Sequence, residues 1–314
     1  APLFCQKVKT DALLQAVQCM LLIIWWILLF LFPSSLLVAA SSSTGNTIHN
    51  SIMSPQAPTA ASSWPAGTAL LLDMDGVLAE VSQSYRAAII STCKEYGATS
   101  ITLDTVAEWK VRGGCNNDWV LSLDLIKLDP NGRSEGLTLD QVTETFERFY
   151  QGDPATGTPG MCDLETLIPR HELMVELKRR CPRMAIVTGR PRSDCDKFLK
   201  LHKLDHLFDV CVCMEDGPPK PDPFPVKRAC ELLAMDPGPS VVFVGDTPDD
   251  IRASVSVNCR GIGVATPENA KQSQTDGKPF DSDALCTAMK SCGADQILEP
   301  GFERLLDFFP PPPN

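Results

Sequence analysis

The residues of this chain best suited to chemistry are acids placed where acids are costly. An apolar run through Leu70, Leu71 and Leu72 ends in Asp73, Met74, Asp75 and Gly76, so two carboxylates one residue apart stand at the tip of a hydrophobic segment. A second apolar run, Val241 to Gly245, ends in the stretch VGDTPDD and supplies Asp246 and Asp250. Between the two lie Thr188, Gly189 and Arg190, which follow a third apolar run, and Lys220 in the stretch KPDP. If the runs are strands of one open α/β sheet, their carboxyl ends share a crevice, and ligands bind at that edge. Four carboxylates in so small a space are tolerable when a hard cation sits among them. Mg²⁺ suits such a place, because it takes one or two carboxylates together with waters and phosphate oxygens.

Each cluster also has a plain structural reading. Asp73 and Asp75 can serve a turn around Gly76, since Asp and Gly dominate turns. Thr247, Pro248 and Asp250 have the order of a helix start, with a Thr cap, Pro in the first position and an acid at the third. Thr188-Gly189 can be a strand-to-helix turn and Lys220 a solvated loop lysine. Taken one at a time these readings compete evenly with the chemical one; taken together, in one order along the chain, they do not.

The elements that must position these residues follow from hydropathy. Short apolar strands alternate with amphipathic helices from Ala69 onward, the pattern of a Rossmann-like parallel sheet sandwiched by helices. Strands are expected at Ala69–Asp73, Met184–Thr188, Val210–Met214, Val241–Asp246 and Gly261–Ala265, with an edge strand at Gln296–Leu298. Sheet-covering helices are expected at Pro169–Cys181, Pro191–Leu204, Phe224–Ala234 and Pro248–Val257, and a last helix before residue 306. Residues 82–162 show only helical signals and read as an inserted helical cap, leaving 68–81 and 163–306 for the core. Within the cap, Thr138 and Gln141 form a capping box, and Ser84–Tyr96 and Asn117–Leu128 have helical spacing. Arg112–Val120, with its Gly-Gly and Asn116-Asn117, is the most polar part of the cap; it reads either as an ordinary helix–helix loop with Asn117 as an N-cap or as a segment that closes over substrate, with Asn116, Asn117 and Arg190 as its contacts.

A net charge of −11 and the lack of a basic stripe speak against a nucleic-acid surface. Thirteen cysteines without a CxxC pair read as reduced thiols, favouring a cytoplasmic or organellar reducing compartment. Residues 1–67 read as a leader and linker: Met20 to Phe32 is uninterruptedly apolar, as in a signal, an anchor or an untranslated upstream segment. A membrane partner is expected only if residues 20–40 are retained as an anchor. Residues 307–314 read as a Pro-rich disordered tail.

The stretches DMDGV, VTGR, KPDP and VGDTPDD resemble the four ordered motifs of the haloacid dehalogenase superfamily over residues 68–306. The helical insertion after the first motif is similar to the cap of its phosphoglycolate phosphatase-like branch. The resemblance implies a phosphatase acting on a small phosphorylated metabolite. In it Asp73 would be the nucleophile forming an aspartyl-phosphate, Asp75 the general acid and then base, and Thr188 and Gly189 the phosphoryl holders. Lys220 would neutralise charge. Mg²⁺ would be held by the side chain of Asp73, the carbonyl of Asp75 and Asp246, with Asp250 beside it. Asp75 favours phosphoryl chemistry, because dehalogenases of the superfamily lack an acid there. Two alternatives remain at this stage, a phosphomutase of the β-phosphoglucomutase type and a non-catalytic regulatory module.

Overall fold

The computed structural model describes residues 67–309 and Pro311. The expected leader therefore lies, apart from Gly67, outside the described residues. Among those described, no helix is long and apolar enough to cross a membrane.

The chain begins with β1 (Ala69–Leu72) and a two-residue strand β2 (Ala79–Glu80), then enters the cap. Four helices follow: α1 (Tyr85–Glu95), α2 (Leu103–Arg112), α3 (Asp118–Leu128) and α4 (Leu139–Gln151). They pack around Ile89, Cys93, Leu121, Leu125, Phe146 and Tyr150, all buried. Thr138 caps α4 by accepting from Gln141 N, with the Gln141 side chain returning to Thr138 N at 2.9 Å, as the capping box predicts. Asn117 caps α3, accepting from Trp119 N at 3.0 Å and Val120 N at 3.1 Å. The insertion is not wholly helical. A small hairpin, β3 (Gly152–Asp153) with β4 (Thr158–Pro159), follows α4, and β5 (Thr166–Leu167) returns antiparallel to β2, so that both crossings between cap and core are stitched together.

The core resumes with α5 (His171–Arg180), β6 (Met184–Val187), α6 (Arg192–Leu201), β7 (Val210–Val212), α7 (Phe224–Leu232), β8 (Val241–Gly245) and α8 (Pro248–Val255). It closes with β9 (Arg260–Val264), α9 (Pro267–Thr275), α10 (Ala284–Ser291) and β10 (Gln296–Leu298). Six parallel strands lie in the order β10-β9-β8-β1-β6-β7. Every residue of β1, β6 and β8 is buried, which explains why these strands read as unbroken apolar runs: a parallel sheet is covered on both faces.

Two expectations at the end of the chain need correction. The last helix is a five-residue 3-10 turn, Glu303–Asp307. The chain is also ordered past Asp307, because Phe308 and Phe309 are buried and Arg180 Nη1 donates to the carbonyls of Leu306 (3.1 Å) and Phe309 (2.9 Å). Any Pro-rich tail starts after Phe309, since two aromatic rings stabilise the fold by leaving water.

Candidate active site

Central β1, flanked by β8 and β6, delivers Asp73 to the carboxyl edge of the sheet, where Asp73 N donates to Val244 O at 2.9 Å. The chain then turns tightly: Leu78 N and Ala79 N both donate to Met74 O at 2.8 Å. Gly76 lies inside this turn at φ +72°, and a Cβ there would collide with the carboxylate of Asp246. The glycine after the second aspartate is thus what lets the acid of β8 come down beside β1.

Asp73, Asp246 and Asp250 each offer a carboxylate oxygen within 4.8 Å of the others, and all three are buried. Lys220 Nζ stands between two of them, 2.9 Å from Asp73 Oδ1 and 2.6 Å from Asp250 Oδ1, and donates to Val187 O at 3.2 Å. Asp250 does both jobs that its sequence position allows. One carboxylate oxygen accepts from Thr247 N (2.9 Å) and Thr247 Oγ1 (2.7 Å) at the start of α8, while the other faces Lys220.

Burial, opposed in part by Lys220, pushes the carboxyl of Asp73 up to about 7. Burial, and then the charges of Asp250 and Asp73, push Asp246 well above the usual carboxylate range. Burial alone would lower Lys220, but Asp250 and Asp73 outweigh it and hold the ammonium above its ordinary value. Three clustered acids facing one lysine leave an excess of negative charge in a buried, all-oxygen donor set. These residues fit a hard divalent cation such as Mg²⁺.

The remaining expected residues divide. Asp75, one-third exposed, opens with Asp73, Gly189, Asn116 and Asp246 onto a single cavity under the cap. Thr188 Oγ1 accepts from Arg190 N at 3.2 Å and borders an adjoining cavity with Lys220 and Gly189. Asn116 reaches down from the cap loop, donating to Lys220 O at 2.7 Å and to Asp249 Oδ2 at 2.8 Å. Gly189 is held close beneath that loop, where a Cβ would stand 2.9 Å from Asn116 O. Asn117 borders the cavity, but its carbonyl oxygen is committed to capping α3. Arg190 borders a small cavity with Asp75 and Asn116, but its charge is already engaged. It is 1% exposed, and its guanidinium is turned inward to the carboxylates of Asp75 and Glu165.

Two cations on the cavity wall escaped the sequence reading. Arg86, in the first turn of α1, lies 3.7 Å from Asp246 Oδ2 and pairs with Glu268 at 3.1 Å. Lys110 of α2 pairs with Asp118 at 2.9 Å and donates to Cys115 O at 2.7 Å. Their helices carry other charges at similar spacing, and no local pattern marks which one faces inward. Asp249, which accepts from Gly114 N at 2.6 Å as well as from Asn116, was masked by its place in an acidic helix start.

The chain matches the family described as haloacid dehalogenase-like hydrolase across residues 163–264. It is 44% identical over 247 residues to an imidazoleglycerol-phosphate dehydratase of Phytophthora nicotianae, with 78% of this chain covered, and it spans 53% of that relative's length. It is 26% identical over 209 residues to a phosphoglycolate phosphatase of Haemophilus influenzae, covering 66% of this chain and 89% of the relative. A crystal structure of a predicted phosphoglycolate phosphatase from Haemophilus somnus shares the fold, with a TM-score of 0.57 at 23% identity over 77% of this chain and 97% of that one.

Proposed function

We propose that this chain, which matches the haloacid dehalogenase-like hydrolases over residues 163–264 and carries an acid at Asp75, is a Mg²⁺-dependent phosphatase of a small phosphorylated metabolite, working through an aspartyl-phosphate. The observation that carries this reading is the buried cluster of Asp73, Asp246, Asp250 and Lys220 with Asp75 opening onto the same cavity. The clustering disfavours a purely structural or regulatory role, since mutually repelling buried carboxylates are costly without a cation to bind.

In this mechanism a carboxylate oxygen of Asp73 attacks phosphorus and the P–O bond to the alcohol breaks. Asp75 gives its proton to the departing oxygen. Water then attacks the phosphorus of the aspartyl-phosphate, its proton passes to Asp75, and inorganic phosphate leaves with Asp73 restored. The Thr188 hydroxyl accepts from Arg190 N, so its own proton is free for a phosphoryl oxygen beside the Gly189 amide. Lys220 balances the charge of Asp73 and of the phosphoryl group. Asp73, the Asp75 carbonyl and Asp246 would hold Mg²⁺, with Asp250 beside them. When bound, that ion offsets the negative charge of the transferring phosphoryl group.

Asn116 ties the cap loop down to Lys220 and to Asp249 of α8, so the cap stands directly over the acids of the sheet edge. The substrate class read from the phosphoglycolate phosphatase relative is a small alkyl phosphate. The dehydratase name of the Phytophthora nicotianae relative describes a protein of which this chain spans 53%, and the acid cluster of this chain supports the phosphoryl-transfer reading instead. The test is phosphate release across a panel of phosphorylated metabolites, with and without Mg²⁺, using Asp73→Asn as control. Metal-dependent release lost in the variant is expected; release that survives Asp73→Asn refutes the reading.

A further inference from the structure

Arg190 is the largest fully buried side chain outside the carboxylate cluster and has no place in the mechanism above. Its Nε donates to Asp75 Oδ1 at 2.6 Å. On the other side its Nη1 and Nη2 donate to Glu165 Oε2 (2.8 Å) and Oε1 (3.2 Å), the paired geometry that makes Arg–carboxylate contacts strong and directional. The guanidinium carbon lies 4.7 Å from the centre of the Tyr85 ring and 5.4 Å from that of Phe198, so the plane of the fork is fixed as well as its ends.

Glu165 in turn is held by both cap crossings. Ser84 Oγ, at the start of α1, donates to Glu165 Oε1 at 2.8 Å. Tyr150 Oη, at the end of α4, donates to the same oxygen at 3.1 Å. Glu165 itself lies just before β5, the strand that stitches the return crossing to β2. A continuous set of charge-assisted bonds therefore runs from the cap's entry and exit to one oxygen of Asp75. The other oxygen is left for the cavity.

We propose that Arg190, with Glu165 as its counter-charge, is a positioning residue that aims the Asp75 carboxyl at the leaving oxygen and makes that aim depend on where the cap sits. This rests on the phosphatase reading above. A cap that moves carries Ser84 and Tyr150 with it and changes the hold of Glu165 on Arg190. Asp75 then loses its aim while Asp73, Lys220 and the metal-binding acids stay in place on the sheet.

The test separates proton delivery from the rest of catalysis. Loss of the leaving group from p-nitrophenyl phosphate needs no proton, whereas an alkyl phosphate must have its oxygen protonated. In each case kcat/KM reports only the steps through leaving-group departure. We compare Arg190→Lys and Glu165→Gln with wild type on p-nitrophenyl phosphate and on the alkyl phosphate best hydrolysed in the metabolite panel. The expected result is a fall of about tenfold or more in the ratio of alkyl to aryl kcat/KM for both variants. Glu165→Gln keeps the shape of the side chain, so it carries the test should the buried Arg190→Lys fold poorly. Equal losses on the two substrates, or none, overturn the proposal while leaving the phosphatase reading intact. Wild-type release that persists in Asp73→Asn overturns both.

Discussion

Replacing Lys220 by Met removes the cation between Asp73 and Asp250 while keeping most of the buried stem. Nζ sits 2.9 Å from one carboxylate and 2.6 Å from the other, in a residue only 3% exposed. Without it, Asp73, Asp246 and Asp250 lie within 4.8 Å of one another with no ammonium among them, and one acid must take up a proton for the fold to persist. From the ordinary value of 3.8, holding that proton costs about 4 kcal/mol at pH 7 and about 2 kcal/mol at pH 5, at roughly 1.4 kcal/mol per pH unit. The larger figure agrees with the ~3–5 kcal/mol lost when one partner of a buried ion pair is deleted. The sign follows from proton counting. An acid whose folded value is raised binds its proton more tightly when folded, so its penalty is absent below about pH 4 and grows toward neutrality. Wild type carries part of this slope already, since Asp73 is pushed up to about 7. Asp246 is raised as well, and the variant adds a further uncompensated carboxylate. Urea unfolding of both proteins in chelator should therefore show a deficit near 2 kcal/mol at pH 5 and near 4 kcal/mol at pH 7, with Mg²⁺ restoring part of it. A deficit that does not change with pH, or one below about 1 kcal/mol at pH 7, would refute the charge accounting.

Gly76→Ala places a Cβ against the Asp246 carboxylate at a positive φ; the backbone term alone costs about 1 kcal/mol. The Mg²⁺ concentration for half-maximal phosphate release should rise by about tenfold or more, as expected when a metal-binding oxygen is displaced, and an unchanged Mg²⁺ titration would count against Asp246 as a ligand. Phe309→Ala opens a cavity under the 3-10 turn and should lower stability by about 3 kcal/mol with kcat unaltered; a melting curve identical to wild type would show that the ring is not part of the core.

The strands were legible because a parallel sheet buried on both faces leaves no alternation to misread, and the acids stood out because they end the apolar runs of β1 and β8, where a charge is costly. The start of α8 was legible twice over, as a helix cap and as part of a site, and Asp250 satisfies both with different oxygens. What escaped depends on partners far along the chain. Arg190 offered a charge in a promising place, and only the fold reveals that Glu165 and Asp75 hold it. The hairpin of β3 and β4 is two residues deep, too short for a period of two to appear. Phe308 and Phe309 looked like the beginning of a proline tail, because a 3-10 turn of five residues carries no periodicity of its own.

The position of β1 has a consequence for how the protein comes into being. It leaves the ribosome before either of its neighbours, which pair with it at Met184 and at Val241 and lie beyond the entire cap. A fully apolar strand must wait while the cap helices, whose contacts are mostly local, take shape beside it. During that interval its unpaired edges are open to the wrong partner, so synthesis speed and chaperone supply should govern the yield of native protein. The strand that carries the nucleophile is then among the last parts of the sheet to be enclosed, and an active centre forms only in chains that have completed the sheet on both sides.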